Sequence, residues 1–383
     1  TSLGLLECVS VNNFYFFLSL SLGFIPLLFI SNKSSSGDYS EWSKLLHRIV
    51  LNNYNISKKL FELDQWAARS DLKRAKETLV KRDKVYVTGL ARAGTTAMTK
   101  QLHTTGLFHS LSYSNLPFLM APRLWPKVHK SKNEDQKERA HGDKVMFGTK
   151  SVEALEEYFF KVMLKDSFID DRRLKIHELN PEIYERYIVY QNLISSSNET
   201  IYLAKNNNLI FRYSSLRRLD PGMKVVLMFR EPNDHANSLL SQHNKFSELQ
   251  REDPFVLDYM NWLAHHEFGL GHKPFSFDQD ESTKPENTGA LDYWLWQWCN
   301  YYEYVLSLME DPCILLVEYQ DFLMEPDSVL MKIQEFINID FGEARIDRFD
   351  KIDPIRKAHY SEDNTRTDQI LCKLRQFKMK IYS

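Results

Sequence analysis

Short apolar runs alternate with amphipathic stretches along the chain, and that order predicts an α/β protein built on a parallel sheet. Four runs read as buried strands: residues 85–88, 201–204, 224–229 and 314–318. Each is continuously apolar rather than alternating, as expected of a strand covered on both faces. Between them the spacing turns helical. Trp42, Leu45, Leu46, Ile49 and Val50 repeat near 3.6 residues, as do Leu60, Leu63 and Ala67, so that residues 39–81 read as helix. Met98 and Leu102 share a helical face just beyond Gly94, and Glu156 and Glu157 open an aromatic-rich helix. A further helix follows Pro232, with Asn233 or Asp234 as its cap, and another runs from Asp321 to Asn338. The segment from Tyr293 to Tyr302 reads as a helix of core aromatics.

The junction of the first strand and its helix carries the strongest chemical signal. Gly89-Leu-Ala-Arg-Ala-Gly-Thr-Thr96 is a glycine loop between strand and helix. Such a loop turns backbone N–H groups and a helix N-terminus toward one point, which suits a phosphate. Its spacing matches the nucleotide-binding G-x-x-x-x-G-K-[ST] pattern except that Thr95 stands where the lysine belongs. A kinase or NTPase uses that lysine on the β- and γ-phosphates and a metal on the next hydroxyl. A loop without it suits a donor with less phosphate charge. A second anion-binding arrangement follows the third strand: Arg230 ends the apolar run, and Ser238 lies eight residues later in the next helix.

Arg92-Ala93-Gly94-Thr95-Thr96 resembles the loop with which sulfotransferases bind the 5′-phosphosulfate of 3′-phosphoadenylyl sulfate (PAPS), and Arg230 with Ser238 resembles their 3′-phosphate site. Lys205, at the end of the second strand, matches the lysine that stabilises the leaving oxygen in many cytosolic members. The histidine base expected two residues later is replaced by Asn207, and an amide cannot act as a general base near neutral pH. Leu203-Ala-Lys-Asn-Asn-Asn208, Phe229-Arg-Glu-Pro232 and Ser238-Leu-Leu-Ser-Gln-His243 resemble a bacterial-type branch of this superfamily, and Val317-Glu-Tyr319 lies in a stretch similar to another family pattern. The resemblance spans roughly residues 45–365. It implies the sulfotransferase fold, PAPS as co-substrate with 3′,5′-adenosine bisphosphate as product, and no metal. It also implies an acceptor that is a hydroxyl or amine of a small molecule or glycan. The base is open between His141, in a stretch matching the branch, and the carboxylates Glu156 and Glu157. Asn115 replaces an acid that the branch resemblance leads one to expect. Two alternatives stand beside this reading: a P-loop kinase or NTPase, with Glu318 as its acidic strand end, and a non-catalytic nucleotide-binding protein.

Composition supports an enzyme and narrows its partners. The chain has 383 residues, 43% hydrophobic and 13% aromatic, enough for one large domain with a deep core. A net charge of −2 gives no electrostatic case for nucleic acid. Cys8, Cys299, Cys313 and Cys372 have no metal-ligand spacing and read as thiols. Residues 1–38 read as a hydrophobic extension and linker, followed by a single domain over 39–383, with polar insertions near 126–144 and 268–289, the latter beside the acceptor mouth. Phe14 to Ile30 is apolar and at the short limit for a membrane span. A Golgi-type membrane anchor and an extension of a cytoplasmic enzyme both remain open at this point.

Overall fold

The computed structural model describes residues 41–72, 84–128, 137–138, 146–147, 154–195, 200–277, 284–342 and 365–382. The chain divides into two units, Thr1–Ile49 and Val50–Ser383. In the first, residues 41–49 are helical. The second contains the sheet and everything described below. The hydrophobic segment at 14–30 lies outside the described residues. Among the described residues no helix is long and apolar enough to cross a membrane.

The strands that sequence predicts all form. They are β1 (Lys84–Thr88), β3 (Ile201–Lys205), β4 (Lys224–Phe229) and β5 (Ile314–Glu318), joined by a two-residue edge strand, β2 (Phe108–His109), too short to leave a periodic signal. All pairings are parallel, in the order β2-β3-β1-β4-β5. The chain therefore leaves the central strand for one edge, returns beside β1 as β3, and then crosses to its other side as β4. The C-terminal end of β1 is thus the topological switch point, where open parallel sheets bind ligands.

Side-chain alternation on the strands divides the core into two. Val85, Val87, Leu203, Val226, Met228, Leu315 and Val317 point to one face. There they pack against Met98 and Leu102 of α2 (Thr95–Thr104) and Val329, Leu330, Ile333 and Ile337 of α7 (Pro326–Ile337). Tyr86, Tyr202, Ala204, Val225, Leu227, Phe229 and Leu316 point to the other face. That face is covered by α1 (Tyr54–Ala67), α3 (Glu157–Leu164), α4 (Pro181–Ile194), α5 (Pro232–Glu252), α6 (Leu291–Leu306) and α8 (Thr365–Tyr382). The result is a helix–sheet–helix sandwich in which every central strand is covered on both sides, which is why its sequence is continuously apolar.

The cap of α5 is neither Asn233 nor Asp234 but Glu231, whose carboxylate accepts from the Asp234 N–H at 2.7 Å. The described part of the 268–289 segment packs into the core. Phe268, Phe275 and Phe277 are buried, and Phe275–Ser276 pairs in parallel with Leu174–Lys175. Three aromatics supply the burial that holds this stretch against the core.

Candidate functional site

At the end of β1 the chain passes within touching distance of β4. A side chain at Gly89 would bring its Cβ to 2.6 Å from the Met228 carbonyl oxygen, so only glycine allows the approach. The loop then turns through a left-handed Arg92 (φ 72°) and a left-handed Gly94 (φ 93°) into α2. A non-glycine residue held in that region marks a conformation enforced by its surroundings. Part of the enforcement comes from below. His235 of α5, fully buried, hydrogen-bonds the Ala91 carbonyl through Nε2 at 2.7 Å. Burial first, then the Arg230 and Arg92 charges, hold this imidazole near pKa 3, so it is neutral and donates from Nε2. Ala93, wholly buried, donates its N–H to the Leu90 carbonyl at 3.0 Å.

Gly94 is the N-cap of α2 and provides no side-chain cap. Thr95 and Thr96 are the first two helical residues, so the N–H groups of the first turn face the mouth of the loop. The Tyr319 ring lies against Gly94, where an added Cβ would stand 2.3 Å from Cδ2. The same ring lies under the Arg230 guanidinium, 5.3 Å from its centroid.

Arg230 and Ser238 reach this loop from α5 and the end of β4. Arg92 Nε donates to Ser238 Oγ at 3.2 Å, joining residues 146 positions apart. Arg230 is held down in pKa by burial, with Arg92 adding a like charge against the support of Tyr319 and Asp234. Two arginines and a hydroxyl facing one another beside an uncapped helix have the chemistry to receive an anion. Helix α6 keeps the strand end in place. Trp298 Nε1 donates to the Arg230 carbonyl at 3.2 Å and the Tyr302 hydroxyl to the Met228 carbonyl at 3.0 Å. The core aromatics expected of residues 293–302 are therefore also the hydrogen-bonding frame of the site.

Lys205, 8% exposed, ends β3 beside Val87, and the sheet continues one residue further as the Asn206 N–H donates to the Val87 carbonyl at 3.0 Å. The Thr95 hydroxyl donates to Asn207 Oδ1 at 3.3 Å, so the turn after Lys205 touches the start of α2.

The three candidate bases fare differently. His141 lies outside the described residues. Glu156 and Glu157 lie close behind this turn, but both are buried and occupied. Glu156 accepts from the Tyr187 and Tyr202 hydroxyls at 2.6 and 2.5 Å and from Asn206 at 2.9 Å. Burial pushes its carboxyl up in pKa against those bonds. Glu157 takes both guanidinium ends of Arg212, at 2.7 and 2.5 Å, and a second amide bond from Asn206 at 3.0 Å. Their geometry is that of a buried network fixing the 205–208 turn. Asn115 is likewise occupied, its amide oxygen accepting the Ser112 N–H at 2.9 Å.

The carboxylate that sequence reasoning missed is Glu267. Its Oε1 lies 3.5 Å from Asn207 Nδ2 and its Oε2 3.5 Å from His265 Nδ1. The only sequence sign was its position at the border of the 268–289 segment.

Glu318, the strand-end acid that a kinase would use on a metal, is held by two cations of α8. Arg375 donates to Oε1 at 2.6 Å and Lys378 to Oε2 at 2.5 Å. Among the described residues no group of histidines, cysteines or acids has the arrangement to hold a metal ion.

The sulfotransferase domain family matches residues 82–372, from the start of β1 into α8, and the chain belongs to that family. Among curated proteins no significant match is found. Solved structures similar to it include sulfotransferase STF1 of Mycobacterium tuberculosis, at 14% identity and a TM-score of 0.44 over 89% of this chain and 86% of that one. Sulfotransferase STF9 of Mycobacterium avium gives 12% identity and 0.45 over 90% and 79%. A sulfotransferase of Alicyclobacillus acidocaldarius gives 13% and 0.38 over 78% and 96%. At these levels the likeness carries no residue-level information.

Two substitutions test the geometry. Gly94→Ala meets both the positive φ and the Tyr319 ring, and is expected to cost about 1–3 kcal/mol in stability, read by denaturation. Glu157→Gln strips the buried Arg212 of its partner and is expected to cost about 3–5 kcal/mol in stability, read by denaturation; a stable variant would contradict the buried-network assignment.

Proposed function

We propose that the protein transfers a sulfuryl group from PAPS to a hydroxyl or amine of a small-molecule or glycan acceptor. The observation that carries this reading is the Arg92–Ser238 contact at 3.2 Å, which unites the glycine loop and the Arg230 strand end in one crevice. Two phosphate-binding arrangements at one switch point suit a nucleotide with phosphate at both the 5′ and 3′ positions. The N–H groups of Gly94, Thr95 and Thr96 and the Arg92 side chain would receive the 5′-phosphosulfate. Arg230 and Ser238 would receive the 3′-phosphate. Lys205 would meet charge on the oxygen that departs.

The kinase alternative is disfavoured by two features. Thr95 stands in the lysine position, and it is buried and engaged with Asn207. Glu318 is neutralised by Arg375 and Lys378, which leaves it a poor metal ligand. The non-catalytic reading draws its support from Asn207, which cannot serve as the base; the carboxylate beside it answers that objection below.

Calorimetry with 3′,5′-adenosine bisphosphate and with ATP·Mg²⁺ tests the assignment. The bisphosphate should bind, and Arg230→Ala should lose about 2–3 kcal/mol of that binding. Unchanged affinity in the variant would refute the 3′-phosphate site. Sulfuryl transfer from labelled donor should survive EDTA, and Thr95→Lys should lower it. Loss on chelation with recovery on adding Mg²⁺ would refute the metal-free mechanism.

A further inference from the structure

Resting on the sulfuryl-transfer reading above, we propose that Glu267 is the general base that takes the acceptor's proton, with His265 as its positioning partner. Among the described residues three carboxylates border the 205–208 turn, and the length of their contacts and their burial separate them. Glu156 receives three donors and Glu157 a bidentate guanidinium plus an amide. Those contacts run from 2.5 to 3.0 Å, and both residues are buried. The two side-chain contacts of Glu267 are longer, 3.5 Å from Oε1 to the Asn207 amide and 3.5 Å from Oε2 to His265 Nδ1, at the outer limit of a hydrogen bond. The same amide turns its oxygen to the Thr95 hydroxyl. One side chain therefore separates this carboxylate from the first residue of α2, where the donor's phosphosulfate would lie. Asn207 stands where the resemblance leads one to expect a histidine base, and its amide delivers a carboxylate to that neighbourhood.

The segment carrying Glu267 is built to hold it. Ala264 adopts a left-handed φ of 59° at the turn that follows helical residues 254–262. The His265 N–H returns to the Met260 carbonyl at 2.9 Å, and His266 Nδ1 lies 2.9 Å from the Gly271 carbonyl. Gln250 of α5 accepts the Leu270 N–H at 2.6 Å. A strained residue inside a closely bonded loop is the pattern of a pre-positioned group. The Glu267 side chain keeps 11% exposure and His265 23%. Burial opposes ionisation of Glu267, but His265, the residue's own N–H and Lys205 outweigh it and hold the carboxyl near pKa 2, in the proton-accepting form. An anionic donor that engages Lys205 removes part of that stabilisation and adds negative charge, raising the proton affinity of Glu267 when the site is loaded.

The step balances. Glu267 Oε1 takes the proton of the acceptor hydroxyl as that oxygen's lone pair forms the new bond to sulfur. The bond from sulfur to the donor's 5′-phosphate oxygen breaks, and its electron pair stays on the departing bisphosphate beside Lys205 and the loop amides. The proton then passes from Glu267 to water at the His265 side.

The test uses the full chain and labelled PAPS, with water and with phenol as acceptors, beside bisphosphate calorimetry. Glu267→Gln should bind bisphosphate as wild type does and lose about 10²–10⁴-fold in transfer. Glu267→Ala should regain transfer in added formate, which wild type and Glu267→Gln should not. His265→Ala should lower kcat for phenol with little change in KM. Intact binding with transfer within a few-fold of wild type in Glu267→Gln would overturn the proposal. So would wild type that binds bisphosphate yet neither hydrolyses the donor nor sulfates phenol, since a base beside the donor has both to act on. Absence of bisphosphate binding in wild type would instead overturn the functional reading beneath it.

Discussion

The close approach of β1's exit loop to the backbone of β4 is the constraint on which the site depends. With Gly89 against the Met228 carbonyl, the chain has little choice but to turn through left-handed positions before it can enter α2. That turn leaves the helix without a side-chain cap and points its first N–H groups at the crevice. It also places Arg92 on Ser238, which is how the start of the sheet meets the helix after β4. A capping serine or aspartate at position 94 would take up one of those first donors itself.

Around that loop the sheet and α6 act as a rigid frame. Trp298 and Tyr302 each bury an aromatic body and spend a polar tip on a β4 carbonyl, so that core packing and site geometry come from the same residues. On the other side of β1, Glu156, Glu157, Arg212 and Asn206 fix the turn after Lys205 through a buried polar network in which each carboxylate is satisfied. Such networks are costly to break and narrow the positions open to their neighbours.

Most of this frame was legible in the sequence because it rests on local signals. Continuous apolar runs marked β1, β3, β4 and β5, and the glycine spacing marked the loop. Arg230 and Ser238 were singled out by family resemblance, and the fold brings Ser238 to Arg92. What was not legible depends on tertiary contact. β2 has two residues and no period. Glu231 caps α5 because its backbone leaves the strand extended, which made the shorter Asn233 and Asp234 the more obvious candidates. The long helix 365–382 has a diluted apolar stripe, and its role in neutralising Glu318 could not be read from spacing. Glu267 lies sixty residues from Asn207, and nothing local distinguishes it from the many surface acids of the chain. Glu156 and Glu157 read as candidate bases by type, and their buried partners come from distant segments that spacing does not reveal.

The central claim is that one crevice at the C-terminal end of β1 holds both phosphate ends of the nucleotide. The most direct measurement is a crystal structure of the chain with 3′,5′-adenosine bisphosphate. The account predicts the 5′-phosphate on the N–H groups of residues 94–96, with the 3′-phosphate hydrogen-bonded to Arg230 and Ser238. A bisphosphate bound elsewhere, or one whose 3′-phosphate touches neither residue, would contradict it.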